Sequence, residues 1–127
     1  MMLIKNDGTI LGHGSFSTVK TAREKSTGMT FAVKIVDKHK VKPETLQLIR
    51  GEVQILKKVD NHPNIVHFVD FFEGEDVYYI VMERICGGEL QEQILKEKHF
   101  DELKSKRLIK EAVEAVKFCH DCEIVHR

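Results

Sequence analysis

The sequence predicts an α+β fold: a five-stranded antiparallel sheet with one helix, followed by further helices. Two patterns predict it. Up to position 85, short apolar and β-branched segments alternate with glycine-containing or acidic turns, as strands do. Beyond Gly87 and Gly88, apolar residues recur at spacings of three and four, which is the period of a helix. We therefore divide the chain into residues 1–85 and residues 86–127.

The strands are predicted from alternation and from the turns between them. The segment 9–11 leads into a glycine-rich turn at 12–14, and a hairpin follows. Its strands are 17–22 and the β-branched segment 30–36, joined by a turn at 25–28. Two further strands are predicted over 65–72 and 77–85, on either side of an acidic turn at 73–76.

The helix within the first part is predicted to start at Pro43, because proline favours the first helical position. Its apolar stripe consists of Leu46, Ile49, Val53 and Leu56. Gly51 lies inside this segment and costs about 1 kcal/mol relative to alanine. The turn 61–64 should end the helix.

The last part of the chain is predicted to hold a short helix over 89–98 and a longer one capped by Asp101. We expect the longer helix to bury the face formed by Leu108, Ile109, Ala112, Val113 and Val116. In a complete domain this face would pack against later helices. Without them it would be exposed and would favour association through residues 101–120. The segment 124–127 resembles the start of a strand.

The composition argues against several functional classes. The 127 residues are 42% hydrophobic and 31% charged, with 20 basic and 20 acidic side chains. That balance gives no support for a nucleic-acid or membrane-surface partner. No apolar run is long enough to span a membrane, and the N-terminus is too short and polar for a signal peptide. Three cysteines, Cys86, Cys119 and Cys122, cannot all pair, so we expect reduced thiols in the cytoplasm or nucleus.

The glycine-rich segment has three possible interpretations. It reads G-x-G-x-x-S, with the residues Gly12, His13, Gly14, Ser15, Phe16 and Ser17. It could be a simple turn, or a backbone that approaches phosphate where side chains would interfere. A dinucleotide-binding loop would open a helix and have an acid, here Asp37, about 20 residues on. A strand follows Ser17 instead, which favours a hairpin loop that covers phosphates as a flap.

Further motifs now give a specific resemblance. Leu11 and Val19 flank the glycine loop, and Phe31-Ala32-Val33-Lys34 follows on the next strand. Together they resemble the glycine loop and V-A-I-K strand of eukaryotic-type protein kinases. Ser17 and the sequence Gly87-Gly88-Glu89-Leu90 are most similar to calcium/calmodulin-dependent serine/threonine kinases. The resemblance implies a kinase N-lobe with its helix C, then the first helices, D and E, of a C-lobe.

By this resemblance, Lys34 binds the α- and β-phosphates of ATP, and Glu52 on helix C pairs with it. These are the two residues assigned catalytic roles. Glu44 is the competing acid, but it falls in the first turn of the helix, where it suits the helix dipole.

The resemblance also implies an adenine site at the hinge between the lobes. Met82 would be the gatekeeper, and the backbones of Glu83 and Ile85 would bond the adenine edge. The apolar roof would be Leu11, Val19 and Ala32. Glu89 would reach the ribose or a basic substrate residue, although an acid at a helix start also suits the dipole.

Two other groups of residues could suggest metal chemistry. Cys119 and Cys122 form a C-x-x-C, but a zinc site usually needs two such pairs. The end of helix E explains this segment better. His62, in the sequence Asn61-His62-Pro63-Asn64-Ile65-Val66, is expected to pack as a turn residue against helix C. We therefore predict no metal ligands in this chain.

The resemblance ends at His126-Arg127, the first two residues of H-R-D. The catalytic aspartate and the ligands of Mg²⁺ follow this point in the family. We expect the complete domain to transfer the ATP γ-phosphate to protein hydroxyls, and residues 1–127 alone to bind ATP weakly and be inactive. The alternative is a regulatory or partner-binding module without catalysis. A transcript that continues past the codon for Arg127 would favour the enzyme. A nucleotide-binding protein of another fold would need the Gly12 loop to open a helix.

Overall fold

The computed structural model describes residues 4–126, with side chains described from Gly8 onward. Five strands form one antiparallel sheet in the order β1-β2-β3-β5-β4. Their bounds are β1 Ile4–His13, β2 Ser17–Glu24, β3 Thr30–Asp37, β4 Phe68–Glu73 and β5 Val77–Glu83. The helices are α1 Pro43–Val59, α2 Leu90–Glu97 and α3 Glu102–Asp121, with a 3₁₀ turn at Lys38–Lys40. The α+β prediction is confirmed.

Helix α1 packs on one face of the sheet. Ile49 and Val53 from the helix are buried against Val36, Tyr78 and Ile80 from β3 and β5. The predicted stripe is confirmed, because its outer members also pack on this cluster, half-buried: Leu46 and Leu56. Pro43 begins the helix as expected, and the helix runs through Gly51 without a break.

The opposite face of the sheet has its own small core, made of Ala22, Phe31, Val33 and Val81. Successive strand residues therefore point to different surroundings. In β3, residues 32, 34 and 36 lie on the α1 side, and residues 31, 33 and 35 lie on the other. This alternation is what places the side chain of Lys34 on the same face as helix α1.

Several predicted strand bounds were wrong. Strand β1 is longer than residues 9–11, and Gly12 and His13 belong to it rather than to the turn. Strand β4 starts at Phe68 instead of position 65. The Ile65 N–H donates to His62 O within a turn, and the N–H groups of His67 and Phe68 donate to the carboxylates of Glu83 and Asp60 rather than to a strand backbone. Strand β5 ends at Glu83 rather than at 85, since its last partner on β3 is Phe31.

The later helices also differ in detail. Glu89 and Lys98 flank α2 as caps and are not part of it. Asp101 caps α3 as predicted, its carboxylate accepting the N–H of Lys104 at 2.7 Å. The apolar face of α3 is largely exposed, as expected for this helix without the later helices of a complete domain. Leu108 is half-buried, and the other four members are exposed: Ile109, Ala112, Val113 and Val116.

The end of the chain forms no strand over residues 124–126, and Arg127 lies outside the described residues. Within the part of the chain that the structure describes, no helix is both long and apolar enough to cross a membrane.

Candidate functional site

The centre of the candidate site is an ion pair between the sheet and α1. The Lys34 ammonium donates to Glu52 Oε1 at 2.7 Å, with exposed fractions of 26% and 44% for the two side chains. Glu52 lies one residue before the buried Val53, so packing of α1 aims the carboxylate at β3. Glu44 is exposed in the first turn of α1, as its sequence position predicted. The pair holds one cationic group at a fixed place on the α1 side of the sheet.

An apolar surface adjoins this cation on the same face. Side chains of directly opposed residues in antiparallel strands share a face. Val19 on β2 lies opposite Lys34, and Ala32 lies opposite Met82 on β5. Met82 is half-buried against the α1 core. The fold therefore brings four of the predicted residues onto one side of three strands, although they come from positions 19 to 82.

The glycine loop connects β1 and β2 beside this surface. Gly12 lies opposite Val19, and the turn itself spans Gly14, Ser15 and Phe16. Gly14 closes the turn by donating its N–H to Ser17 O at 2.7 Å. A Cβ at Gly14 would come within 2.8 Å of Ser17 Oγ, so glycine keeps this turn tight. Ser15 and Phe16 are exposed at the tip, and His13 contacts Thr18 through Nδ1 at 3.5 Å.

At Gly12, in contrast to Gly14, nothing in the fold requires a glycine. It has no positive φ, and a Cβ built on it meets no atom within 4 Å in the described part of the chain. Neither backbone conformation nor packing requires glycine there. A bare backbone facing open space is what close approach to a ligand needs. Leu11, the next residue on β1, is also exposed.

The predicted hinge leaves the sheet after Glu83. The Glu83 N–H donates to His67 O at 2.9 Å, and the Glu83 carboxylate accepts the His67 N–H at 2.7 Å. Ile85 follows in an irregular segment and is exposed. Glu89 is exposed as the residue preceding α2, and its side chain makes no capping hydrogen bond. The structure places it at the helix start, which is compatible with both of its predicted roles.

The anchoring of the hinge was not predicted from the sequence. His67 also contacts Asp60 Oδ1 through Nδ1 at 2.7 Å, so the end of α1, the start of β4 and Glu83 are linked. Neither Asp60 nor Glu83 belongs to a periodic apolar pattern that would identify it in the sequence. The groups that bond to these two carboxylates are polar and lie in an irregular loop. The cluster fixes where the backbone departs towards Ile85.

The other strong electrostatic cluster lies away from the site, at the β4–β5 turn. Glu73 accepts from Arg50 at 2.8 and 3.0 Å and from Lys38 at 3.1 Å. Hydrogen bonds from Lys38 and then Arg50 hold the pKa of Glu73 below its ordinary value. Both cations also lie over the buried Tyr78 ring. This cluster ties α1 and the 3₁₀ turn to the end of β4.

The residues considered for metal binding lie elsewhere. His62 stacks on Phe118 with ring centroids 5.0 Å apart, and its Nδ1 accepts the Asn64 N–H. Cys119 and Cys122 are free thiols at the end of α3. Among the residues described here, no three His, Cys, Asp or Glu side chains cluster as a metal site would need.

Comparisons with known proteins agree on one family. The family described as protein kinase domain matches residues 6–127. The chain is 42% identical over 120 residues to "Probable serine/threonine-protein kinase fhkD" of Dictyostelium discoideum, covering 93% of this chain and 16% of that protein. It is 38% identical over 117 residues to "Calcium/calmodulin-dependent protein kinase type II alpha chain" of Drosophila melanogaster, covering 92% of this chain and 22% of that protein. The chain thus spans less than a quarter of either relative.

A solved structure supports the same similarity in three dimensions. "Crystal structure of Rad53 1-466 in complex with AMP-PNP" superimposes with a TM-score of 0.82 and 35% sequence identity. The match covers 98% of this chain and 32% of the other. The five-stranded sheet and the helices described above therefore have the arrangement found in that nucleotide-bound structure.

Proposed function

Because this chain belongs to the protein kinase family, with the domain matching over residues 6–127, we propose that it is the ATP-binding portion of a protein serine/threonine kinase. The observation that carries the proposal is the 2.7 Å pair between Lys34 and Glu52, set beside an apolar sheet face and the Gly12 loop. Its relatives are serine/threonine kinases, and its structural neighbour holds an ATP analogue.

The residues present suit ATP in charge, and the open backbone at Gly12 leaves room for a phosphate. Lys34 would bind the α- and β-phosphates, because a cation fixed by a carboxylate keeps one position over them. The backbone from Gly12 to Ser17 would cover the phosphates, and Gly12 has the open space that this approach needs. ATP supplies the γ-phosphoryl group that the complete domain would transfer to a protein hydroxyl.

The adenine would lie on the apolar side of the cleft. Val19, Ala32 and Leu11 would cover it, with Met82 at the back. The backbones of Glu83 and Ile85 would bond its edge, and Glu89 would reach the ribose or a basic substrate residue. Such a site has the mostly apolar lining with a few polar groups that cofactor pockets share.

We further propose that residues 1–127, taken as a separate polypeptide, bind ATP weakly and transfer no phosphate. Phosphoryl transfer depends on a positioned nucleophile and on Mg²⁺ that neutralises developing charge. Mg²⁺ belongs to the complete domain in this proposal, since Lys34 and Glu52 supply neither its ligands nor the base.

The test measures binding of a fluorescent ATP analogue to residues 1–127. Lys34→Met should weaken binding by about tenfold or more, because hydrogen bonds to charged groups contribute roughly 1.5–3 kcal/mol. Lys20→Met is the matched control: Lys20 lies opposite Val33, on the other face of the sheet. Equal affinity in the wild type and Lys34→Met would reject the site.

Folding and activity are checked on the same proteins. The ion pair is partly exposed, so Lys34→Met should change the free energy of unfolding by less than about 1 kcal/mol. A large loss of stability would show that weaker binding came from unfolding. A radiolabelled phosphate transfer that depends on Lys34 in residues 1–127 would refute the proposed inactivity.

A second candidate, a non-catalytic partner-binding module, is favoured by the exposed apolar face of α3. Ile109 and Val113 are 65% and 59% exposed. If the natural transcript stopped after the codon for Arg127, this candidate would replace the enzyme. Continuation into an aspartate and later metal ligands would support the kinase.

A further inference from the structure

The C-x-x-C at the end of α3 has no part in the proposed nucleotide site, and its local geometry is distinctive. The Cys122 N–H is shared between Phe118 O at 3.0 Å and Cys119 O at 3.1 Å. A bond from residue i+3 to residue i belongs to a 3₁₀ turn, in which side chains three residues apart eclipse one another. The last turn of α3 is therefore partly tightened, and it brings the two cysteine side chains towards the same side.

The backbone beyond Cys122 fixes this turn. The N–H of Ile124 donates to Cys119 O at 2.8 Å, and the N–H of Glu123 donates to His120 O at 2.9 Å. Glu123 adopts a positive φ of 61°. These two bonds and the left-handed residue make a Schellman motif with Cys122 as the C-cap. The spacing of the two cysteines is thus set by hydrogen bonds on both sides of the pair.

The Cα spacing of the pair is compatible with a disulfide. The Cβ atoms of residues three apart on a helix lie about 5–6 Å from each other and must approach to about 3.5–4.5 Å for the bond to close. Helix geometry separates Cα atoms three residues apart by about 5 Å in an α-helical turn and about 6 Å in a 3₁₀ turn. Both values fall within the range of about 4.4–6.8 Å found for disulfides. Cys119 and Cys122 are both half-buried, so an oxidant can reach them. The Lys58 ammonium donates to Cys122 O at 2.6 Å, which places a positive charge beside the pair.

We propose that Cys119 and Cys122 form a reversible intrachain disulfide when the chain meets a disulfide oxidant such as oxidised glutathione. The thiolate of one cysteine attacks a glutathione sulfur, and one glutathione thiolate leaves. The second cysteine attacks the protein sulfur of this mixed disulfide and releases the second glutathione. The protein loses two hydrogens, and one oxidised glutathione becomes two reduced ones. This modification is independent of nucleotide binding.

The experiment exposes residues 1–127 to excess oxidised glutathione, blocks free thiols with N-ethylmaleimide and digests with trypsin. Cleavage after Lys117 gives one peptide, residues 118–127, that holds both cysteines. Cleavage after Arg84 and Lys96 isolates Cys86, an exposed single thiol that serves as the internal comparison. We expect most of the 118–127 peptide to be lighter by two hydrogens and free of adducts, while Cys86 carries one glutathione.

Three results would overturn the proposal: glutathione on Cys119 or Cys122 in the wild type, free thiols at both while Cys86 reacts, or disulfides between chains. Cys119→Ser and Cys122→Ser should each convert the remaining thiol to a glutathione adduct. The wild-type measurement needs neither variant, so it decides the question even if a serine substitution disturbs folding. Dithiothreitol should restore the two hydrogens.

Discussion

Thr21 is a polar side chain in a place where the fold offers it no partner. It is 1% exposed on β2, opposite Ala32, and its hydroxyl makes no hydrogen bond within the described residues. A buried hydroxyl without a partner costs roughly 1–3 kcal/mol. Its burial also excludes direct contact with a ligand in the cleft, so Thr21 weakens the sheet without serving the proposed site.

Thr21→Val should therefore raise the free energy of unfolding by about 1 kcal/mol, because valine has nearly the same shape and removes the unpaired hydroxyl. Urea unfolding of both proteins measures the difference. Thr18→Val is the control on the same strand, where the hydroxyl contacts His13 and is less buried. An equal gain from both variants would show that β propensity, not the buried hydroxyl, is responsible.

At the scale of single residues, the sequence was sufficient to identify a residue whose neighbours along the chain form a recognisable motif. Lys34 and Glu52 were identified because their neighbouring residues resemble the V-A-I-K strand and helix C of protein kinases. Their 2.7 Å contact agrees with that prediction of position, while their roles towards ATP stay predictions. Thr21 gave no such signal, because its burial depends on packing contributed by distant parts of the chain.

At the scale of secondary-structure elements, Gly51 lowers the stability of helix α1. It is exposed in the middle of the helix, and a Cβ there would meet no atom within 4 Å among the described residues. Nothing in the packing of α1 requires a glycine. The helix nevertheless carries Glu52 and much of the core on that face of the sheet, so its stability bears directly on the Lys34 pair.

We expect Gly51→Ala to stabilise the chain by up to about 1 kcal/mol, through reduced freedom of the unfolded chain and better helix propensity. Thermal unfolding followed by circular dichroism would measure this. Gly28→Ala is the opposing control, because Gly28 has a φ of +75° and alanine should destabilise that turn by about 1 kcal/mol. A loss of stability in Gly51→Ala would contradict this expectation, because it would show that α1 requires a glycine at this position.

Glu73 connects three elements, since it joins the end of β4 to Lys38 in the 3₁₀ turn and to Arg50 on α1. Its folded pKa lies below the ordinary value of 4.5, chiefly through the hydrogen bond from Lys38. A group with a lowered folded pKa contributes stability above its unfolded pKa. That contribution is lost as the pH falls below 4.5 and through the lowered folded value.

Glu73→Gln should therefore be less stable than wild type at pH 7, and this difference should shrink as the pH falls below about 4.5. Unfolding midpoints measured from pH 7 to pH 3 would show the two curves converging. Glu75→Gln, at an exposed position in the next turn, should follow the wild-type curve throughout. Parallel curves for wild type and Glu73→Gln would contradict the role of this carboxylate.

Whether a segment forms a helix or a strand was predictable from the sequence. The first and last residues of several of these helices and strands were not. Periodicity identified the sheet strands and α1, since it reflects which face is buried. The start of β4 depends on Asp60, and the exit from β5 depends on the bonds between Glu83 and His67. Those contacts join residues eight and sixteen positions apart through polar groups, and no local pattern marks them.

At the scale of the whole molecule, α3 is held by polar and aromatic contacts rather than by a core. Asn64 donates to Glu111 O at 3.1 Å, Lys58 reaches Cys122 O, and His62 stacks on Phe118. No residue of α3 itself is buried. Its amphipathic sequence predicted a buried face, and burial of that face requires a covering surface that residues 4–126 do not supply.

The uncovered face of α3 should make the chain associate. An exposed apolar stripe favours contact with another molecule, because association removes the stripe from water. We expect residues 1–127 to associate increasingly with concentration, and Ile109→Gln with Val113→Gln to shift the protein towards monomer in sedimentation velocity. The matched control is Lys106→Gln with Lys110→Gln, which places the same residue at two charged positions of the helix. If the two double variants sediment alike, or if the wild type remains monomeric at every concentration, the apolar face does not drive association.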